Sequence, residues 1–110
     1  MGLDSFWELP DTQPDIHFDP EINLCGGMFS GMGEGSFRGK VYELIVESIT
    51  GESLYQKEIP NVTVRAMVDK FDSATFTEGN TWGIDEQEFN DLVRMFRAYA
   101  NAGAVLKGWW

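Results

Sequence analysis

The most regular pattern of apolar positions lies in the C-terminal third of the chain. Phe89, Leu92, Val93, Phe96 and Tyr99 recur at helical spacing, so they share one stripe of an α-helix. Asp85 stands before the stretch as an N-cap, and Glu88 follows three residues on, a variant of the capping box. Acids fill the first turn, and Arg94 and Arg97 come later, the order that the helix dipole favours. Both arginines are expected to balance acids on their own helix. With Gly103 as terminator, the spacing predicts a helix over 86–102. Val64, Met67, Val68 and Phe71 fall at i, i+3, i+4 and i+7, which predicts a second helix over 62–71 with Asn61 as its cap.

The segment from Val41 to Gly51 fits two templates. A strand would mix Val41, Ile45 and Ile49 with Glu43 and Glu47 on one face. A helix gathers Val41, Leu44, Ile45 and Ile49 on one stripe and sets the two glutamates on another. Gly51 then sits where a helix-ending glycine belongs. This predicts a helix over 40–50. A hairpin through Thr50-Gly51-Glu52-Ser53 is the competing reading, because the stretch is rich in β-branched residues.

The remaining stretches read as extended or irregular. Pro10, Pro14 and Pro20 forbid a long helix near the start. Ile16-His17-Phe18 and Ile22-Asn23-Leu24 alternate as short extended segments. Leu54–Ile59 reads as a connector ending at Pro60, and 72–83 as a loop anchored by Phe76 and Trp82. The tail 104–110 is apolar and extended. Its two tryptophans are costly to leave in water, so the tail is expected to pack back onto the body. The expected fold is one α+β domain over 1–110, with about three helices and a small sheet from the N-terminal segments and the tail.

Six glycines fall among residues 26–40, followed by a basic end at Arg38 and Lys40. Glycines free backbone N–H groups to converge, and a helix start adds positive potential. Gly31, Gly33, Gly35, Ser36, Arg38, Lys40 and Tyr42 are therefore the candidate residues for an anionic ligand, with Phe37, Tyr42 or Tyr55 as stacking partners for a base. The segment is not a Walker A loop: Val41 follows Gly39-Lys40, so no hydroxyl holds magnesium. Without a strand–turn–helix unit around it, it is not a dinucleotide fingerprint either.

Composition narrows the partners. The 110 residues are 43% hydrophobic and 14% aromatic, which suits one packed domain. Eighteen acids against eight bases give a net charge of −10. That field repels nucleic acid and suits a basic protein partner. Glu43, Glu47, Glu52 and Glu58 are expected to face solvent. No apolar run is long enough to span a membrane, and no signal peptide is expected at the start. The single cysteine, Cys25, excludes an internal disulfide and suits a cytoplasmic setting. Asp15, His17 and Asp19 would share one face of a strand, but further ligands are absent nearby and no metal is expected. Cys25 with His17 as base is the corresponding catalytic pair. No cofactor is implied.

The opening Met1-Gly2-Leu3-Asp4-Ser5-Phe6-Trp7 and the stretch Ser36-Phe37-Arg38-Gly39-Lys40-Val41-Tyr42 resemble small proteins of unknown function from phages and prokaryotes. Ser53-Leu54-Tyr55 and Gly108-Trp109-Trp110 extend the resemblance. It implies an accessory protein, acting in the host cytoplasm if phage-encoded, and brings no activity or site residue. The leading expectation is a small acidic, non-enzymatic protein that binds an anionic phosphate-bearing ligand through the Gly-rich loop. The alternatives are an acidic inhibitor or adaptor docking on a basic, nucleic-acid-binding host protein, and a small hydrolase or transferase. A homo-oligomer sealed by Trp109 and Trp110 is compatible with each.

Overall fold

Alternation of small or apolar with polar residues builds the sheet. In the computed structural model, residues 3–12, 16, 18, 22, 24, 28–30, 35–76 and 84–110 are described. Strand β1 spans Asp4–Glu8, β2 Met28–Ser30 and β3 Gly35–Phe37. Helix α1 spans Gly39–Thr50, strand β4 Glu58–Ile59 and helix α2 Asn61–Ser73. Helix α3 spans Glu86–Asn101 and strand β5 Val105–Trp109. The strands form one antiparallel sheet in the order β2-β3-β1-β5-β4. The expected α+β class holds, with three helices close to the expected ranges and a sheet that joins the N-terminal part to the tail.

The strands lie partly elsewhere than expected. The N-terminal strand is Asp4–Glu8, while Ile16, Phe18, Ile22 and Leu24 contribute side chains to the core instead. Part of the Gly-rich segment is itself sheet, as β2 and β3, and the connector before Pro60 supplies β4.

The strand with the longest pairing is β5, matched residue for residue to β1 from Asp4↔Trp109 to Glu8↔Val105. This pairing brings the two ends of the described chain together. It also carries Trp7 to the middle of the molecule, where it is fully buried. The Trp7 ring stacks on Tyr99 at 4.8 Å, meets Phe96 edge-on at 5.1 Å and approaches Phe37 at 6.3 Å. These are favourable aromatic geometries. Around this group gather Tyr42, Ile45 and Val46 of α1, Val64, Met67 and Phe71 of α2, and Leu92, Met95 and Phe96 of α3.

The helix ends follow local chemistry, with one correction. The Asp85 carboxylate accepts the Glu88 N–H at 2.8 Å, as the capping box predicts. Gly51 and Gly103 adopt left-handed φ values of 79° and 82°, which only glycine takes without strain. Asn61, however, does not cap α2. Pro60 precedes the helix, and the Asn61 amide reaches away to donate to Ala100 O at 3.0 Å and Ala104 O at 2.9 Å. It thus ties the start of α2 to the end of α3 and to the residue before β5.

The buried face of α1 is also rotated from the expected stripe. Tyr42, Ile45 and Val46 face the core, and Leu44 is exposed. Tyr42 shifts the face because its large ring packs beside Phe37, while its hydroxyl donates to Glu88 Oε2 at 2.7 Å. Glu43 is held rather than solvated: its carboxylate accepts the Leu54 N–H at 2.7 Å and the Ser53 hydroxyl. Arg94 pairs within its helix with Asp91, but Arg97 crosses to Asp72 on α2.

Gly39 is required by packing. A Cβ there would stand 2.2 Å from Ser5 Oγ and 2.9 Å from Leu3 Cδ2. Ser5 Oγ is buried and has no hydrogen-bond partner among the described residues. Gly39→Ala is therefore expected to destabilise by about 1–3 kcal/mol through overpacking, read as a lower thermal midpoint. Ser5→Ala removes a buried hydroxyl that lacks a partner there, so alone it is expected to be neutral or stabilising. In the double variant it should restore part of the loss. An unchanged midpoint for Gly39→Ala would refute this account.

Candidate binding surface

The described residues of the expected anion cradle fall on β3 and on the start of α1. Gly31 and Gly33 lie outside the described residues, as do His17, Cys25, Asp15 and Asp19. Gly35 pairs with Ser30 of β2, and Ser36 lies between Phe29 of β2 and Phe6 of β1. Ladder bonds of this kind occupy the strand backbone. The Lys40 N–H donates to Leu3 O at 3.3 Å. Tyr42 is fully buried, so its ring cannot stack on a ligand. Arg38 is exposed at the N-cap, and Lys40 is exposed in the first turn. Neither forms an ion pair with a described residue. The first turn holds no acid and no side-chain cap. Two cations therefore stand together at the positive end of a helix.

A second surface arises from strand alternation. Ser5 and Trp7 of β1 point to the helices, so Asp4, Phe6 and Glu8 point outward. Leu106 and Gly108 of β5 point inward, so Val105, Lys107 and Trp109 point outward. Ser36 and Glu58 join them from β3 and β4. The register sets Phe6 opposite both Ser36 and Lys107, Glu58 opposite Lys107, and Asp4 opposite Trp109.

This outer face stays open to solvent. Trp109 is 69% exposed, and the Glu8 and Glu58 side chains are about half exposed. The expectation that the tail would bury its tryptophans is met only for the backbone, which is a strand in the middle of the sheet. Lys107 Nζ sits 3.0 Å from Glu8 Oε2 and 3.7 Å from Glu58 Oε1. With Asp4, three carboxylates face one ammonium, leaving a surplus of two negative charges on this face among the described residues.

Trp110 turns to the opposite side by the same alternation. Its ring meets Tyr55 edge-on at 5.5 Å, and Lys57 Nζ lies 5.5 Å from its centroid. Gly108 makes this possible: a Cβ there would fall 2.6 Å from Gln56 O and 2.8 Å from Leu54 O. A side chain would push away the loop that carries Tyr55 and Lys57.

An aromatic surface edged with carboxylates can take cations, through the ring face and through ion pairing together. The same charge disfavours a phosphate backbone. Its signal in the sequence was the two-residue alternation of Asp4-Phe6-Glu8 and of Val105-Lys107-Trp109. Neither segment shows on its own which face is covered, so the alternation alone does not mark a surface.

The architecture is thus a two-layer α+β domain with an open antiparallel sheet face. No family model, curated protein or solved structure matches this chain. Among the described residues, no group of histidine, cysteine and acidic side chains is arranged to hold a metal ion. No helix among them is long and apolar enough to cross a membrane.

The Lys107 pKa is raised above its ordinary value, first by the hydrogen bond it donates to Glu8, then by the charge of Glu8 and, more weakly, of Glu58. A folded-state pKa above the unfolded one stabilises fully below the unfolded value and is lost as pH climbs through the folded value. From the ordinary lysine value of 10.5 upward, the native chain is therefore expected to lose more stability than Lys107→Met. Thermal midpoints of both proteins along an alkaline series check this, and parallel decline would refute it.

Proposed function

We propose that this chain is a small acidic binding protein, without catalytic chemistry of its own, that docks on a basic protein. The observation that supports this reading most directly is the open sheet face, where aromatic side chains and surplus carboxylates stand together on a chain of net charge −10. The resemblance to small phage and prokaryotic proteins fits an accessory role of this kind, in the cytoplasm of a host. A basic nucleic-acid-binding protein is the partner class with the complementary field.

Such docking depends on ionic strength. Affinity for a basic protein is expected to fall roughly tenfold or more between about 50 and 500 mM salt, because exposed charges are screened. Calorimetric titration across that series measures it. Binding that ignores salt would refute an electrostatic dock.

A specific observation also favours a second reading, an anionic phosphate-bearing ligand at the start of α1. Arg38 and Lys40 stand there without a carboxylate partner among the described residues. Arg38 would grip a phosphate as a fork and Lys40 as a point charge. A nucleotide at a hundred times its dissociation constant would stabilise the fold by about 2.7 kcal/mol. Arg38→Ala and Lys40→Ala are each expected to reduce that thermal shift. A flat nucleotide screen, or shifts unchanged in both variants, removes this reading.

A further inference from the structure

The basic-partner reading leaves open where the partner sits and what it presents. We infer that the outer sheet face is the docking surface, and that its occupant is an extended partner segment whose arginine lies on the Trp109 indole and pairs with Asp4. The inference rests on the basic-partner reading and adds a site and a side chain to it.

Register supplies the geometry. Asp4 and Trp109 are directly opposite on β1 and β5, which sets their Cβ atoms about 4.5–5.5 Å apart. A guanidinium lying flat on the indole is then within reach of the carboxylate. Phe6 is the diagonal neighbour of Trp109 on the same face, because it stands opposite Lys107. It offers an apolar floor for the next outward residue of the segment. An extended segment suits this surface because its side chains repeat every second residue, as those of the sheet do.

Charge selects the occupant. Lys107 is already engaged by Glu8 and Glu58, so it does not neutralise Asp4. The surplus carboxylates favour a cation and oppose an acidic segment. They also oppose a second copy of this chain, whose face would bring the same surplus and whose body carries −10. The molecule uses the same chemistry once already, since Lys57 sits over the ring of Trp110. Trp109 is 69% exposed and offers its indole to an outside cation. Arginine fits better than lysine, because its planar group stacks on the ring and pairs with a carboxylate at once.

The test uses a blocked peptide of alternating arginine and valine, titrated into the full chain by calorimetry and followed through the tryptophan indole N–H signals in NMR spectra. The Trp109 signal, identified by its loss in Trp109→Ala, is expected to shift on binding. Trp109→Ala is expected to weaken binding roughly tenfold, and Asp4→Asn several-fold, with thermal midpoints near that of the native chain because both side chains are exposed. Glu47→Gln with Glu86→Gln removes two charges from α1 and α3 and is expected to have little effect.

Equal affinity in Trp109→Ala, with weakening in the α1/α3 pair, overturns the site while leaving the basic-partner reading intact. Salt-insensitive binding, or none to this peptide or to any basic protein, defeats both. Sedimentation showing a native dimer that Trp109→Ala dissociates would assign the face to a second copy and overturn the inference.

Discussion

The burial of Trp7 is the constraint on which the rest of the structure depends. A single indole on the central strand touches Phe37 from the neighbouring strand and Phe96 and Tyr99 from α3. Through Phe96 and Phe37 the contacts reach Phe71 of α2 and Tyr42 of α1. Truncating so large a buried ring typically costs about 3–5 kcal/mol, a large part of what holds a domain of this size together. Trp7 occupies that position only because β1 is paired on both sides, with β3 and with β5. The sheet and the core are therefore one arrangement: slipping β1 by one residue would turn Trp7 outward and Phe6 inward.

The same alternation that buries Trp7 creates the outer face. Each inward residue of β1 and β5 implies an outward neighbour, and those neighbours are two acids, one lysine, one valine and two aromatic rings. An antiparallel sheet can leave one side in water when that side is polar. Here the side is polar in charge and keeps the Trp109 indole largely exposed. Placing surplus carboxylates beside that indole gives the face a preference of sign, and so a preference among partners.

The glycines serve more than one purpose. Gly39 lets the start of α1 press against Leu3 and Ser5, and Gly108 lets a loop cross over β5. Both positions are set by the close approach of other atoms rather than by a ligand. Arg38 and Lys40 remain at the helix start with the dipole behind them. Tyr42 turns to the core, and the backbone of Gly35 and Ser36 is engaged in the sheet.

What could be read from the chain alone was local. Three helices, the Asp85 cap and the stops at Gly51 and Gly103 follow from spacing and backbone preference within a few residues, where the cause and the effect lie side by side in sequence. The net charge of −10 follows from composition. The pairing of β1 with β5 joins segments about a hundred residues apart, so no short-range pattern could announce it. That pairing decided that Asp4 would stand across from Trp109, and other contacts between distant segments decided that Asn61 would reach Ala100 and Ala104 and that Tyr42 would pack beside Phe37. Each of these depends on which surface another part of the chain happens to cover, and coverage is a property of the folded body.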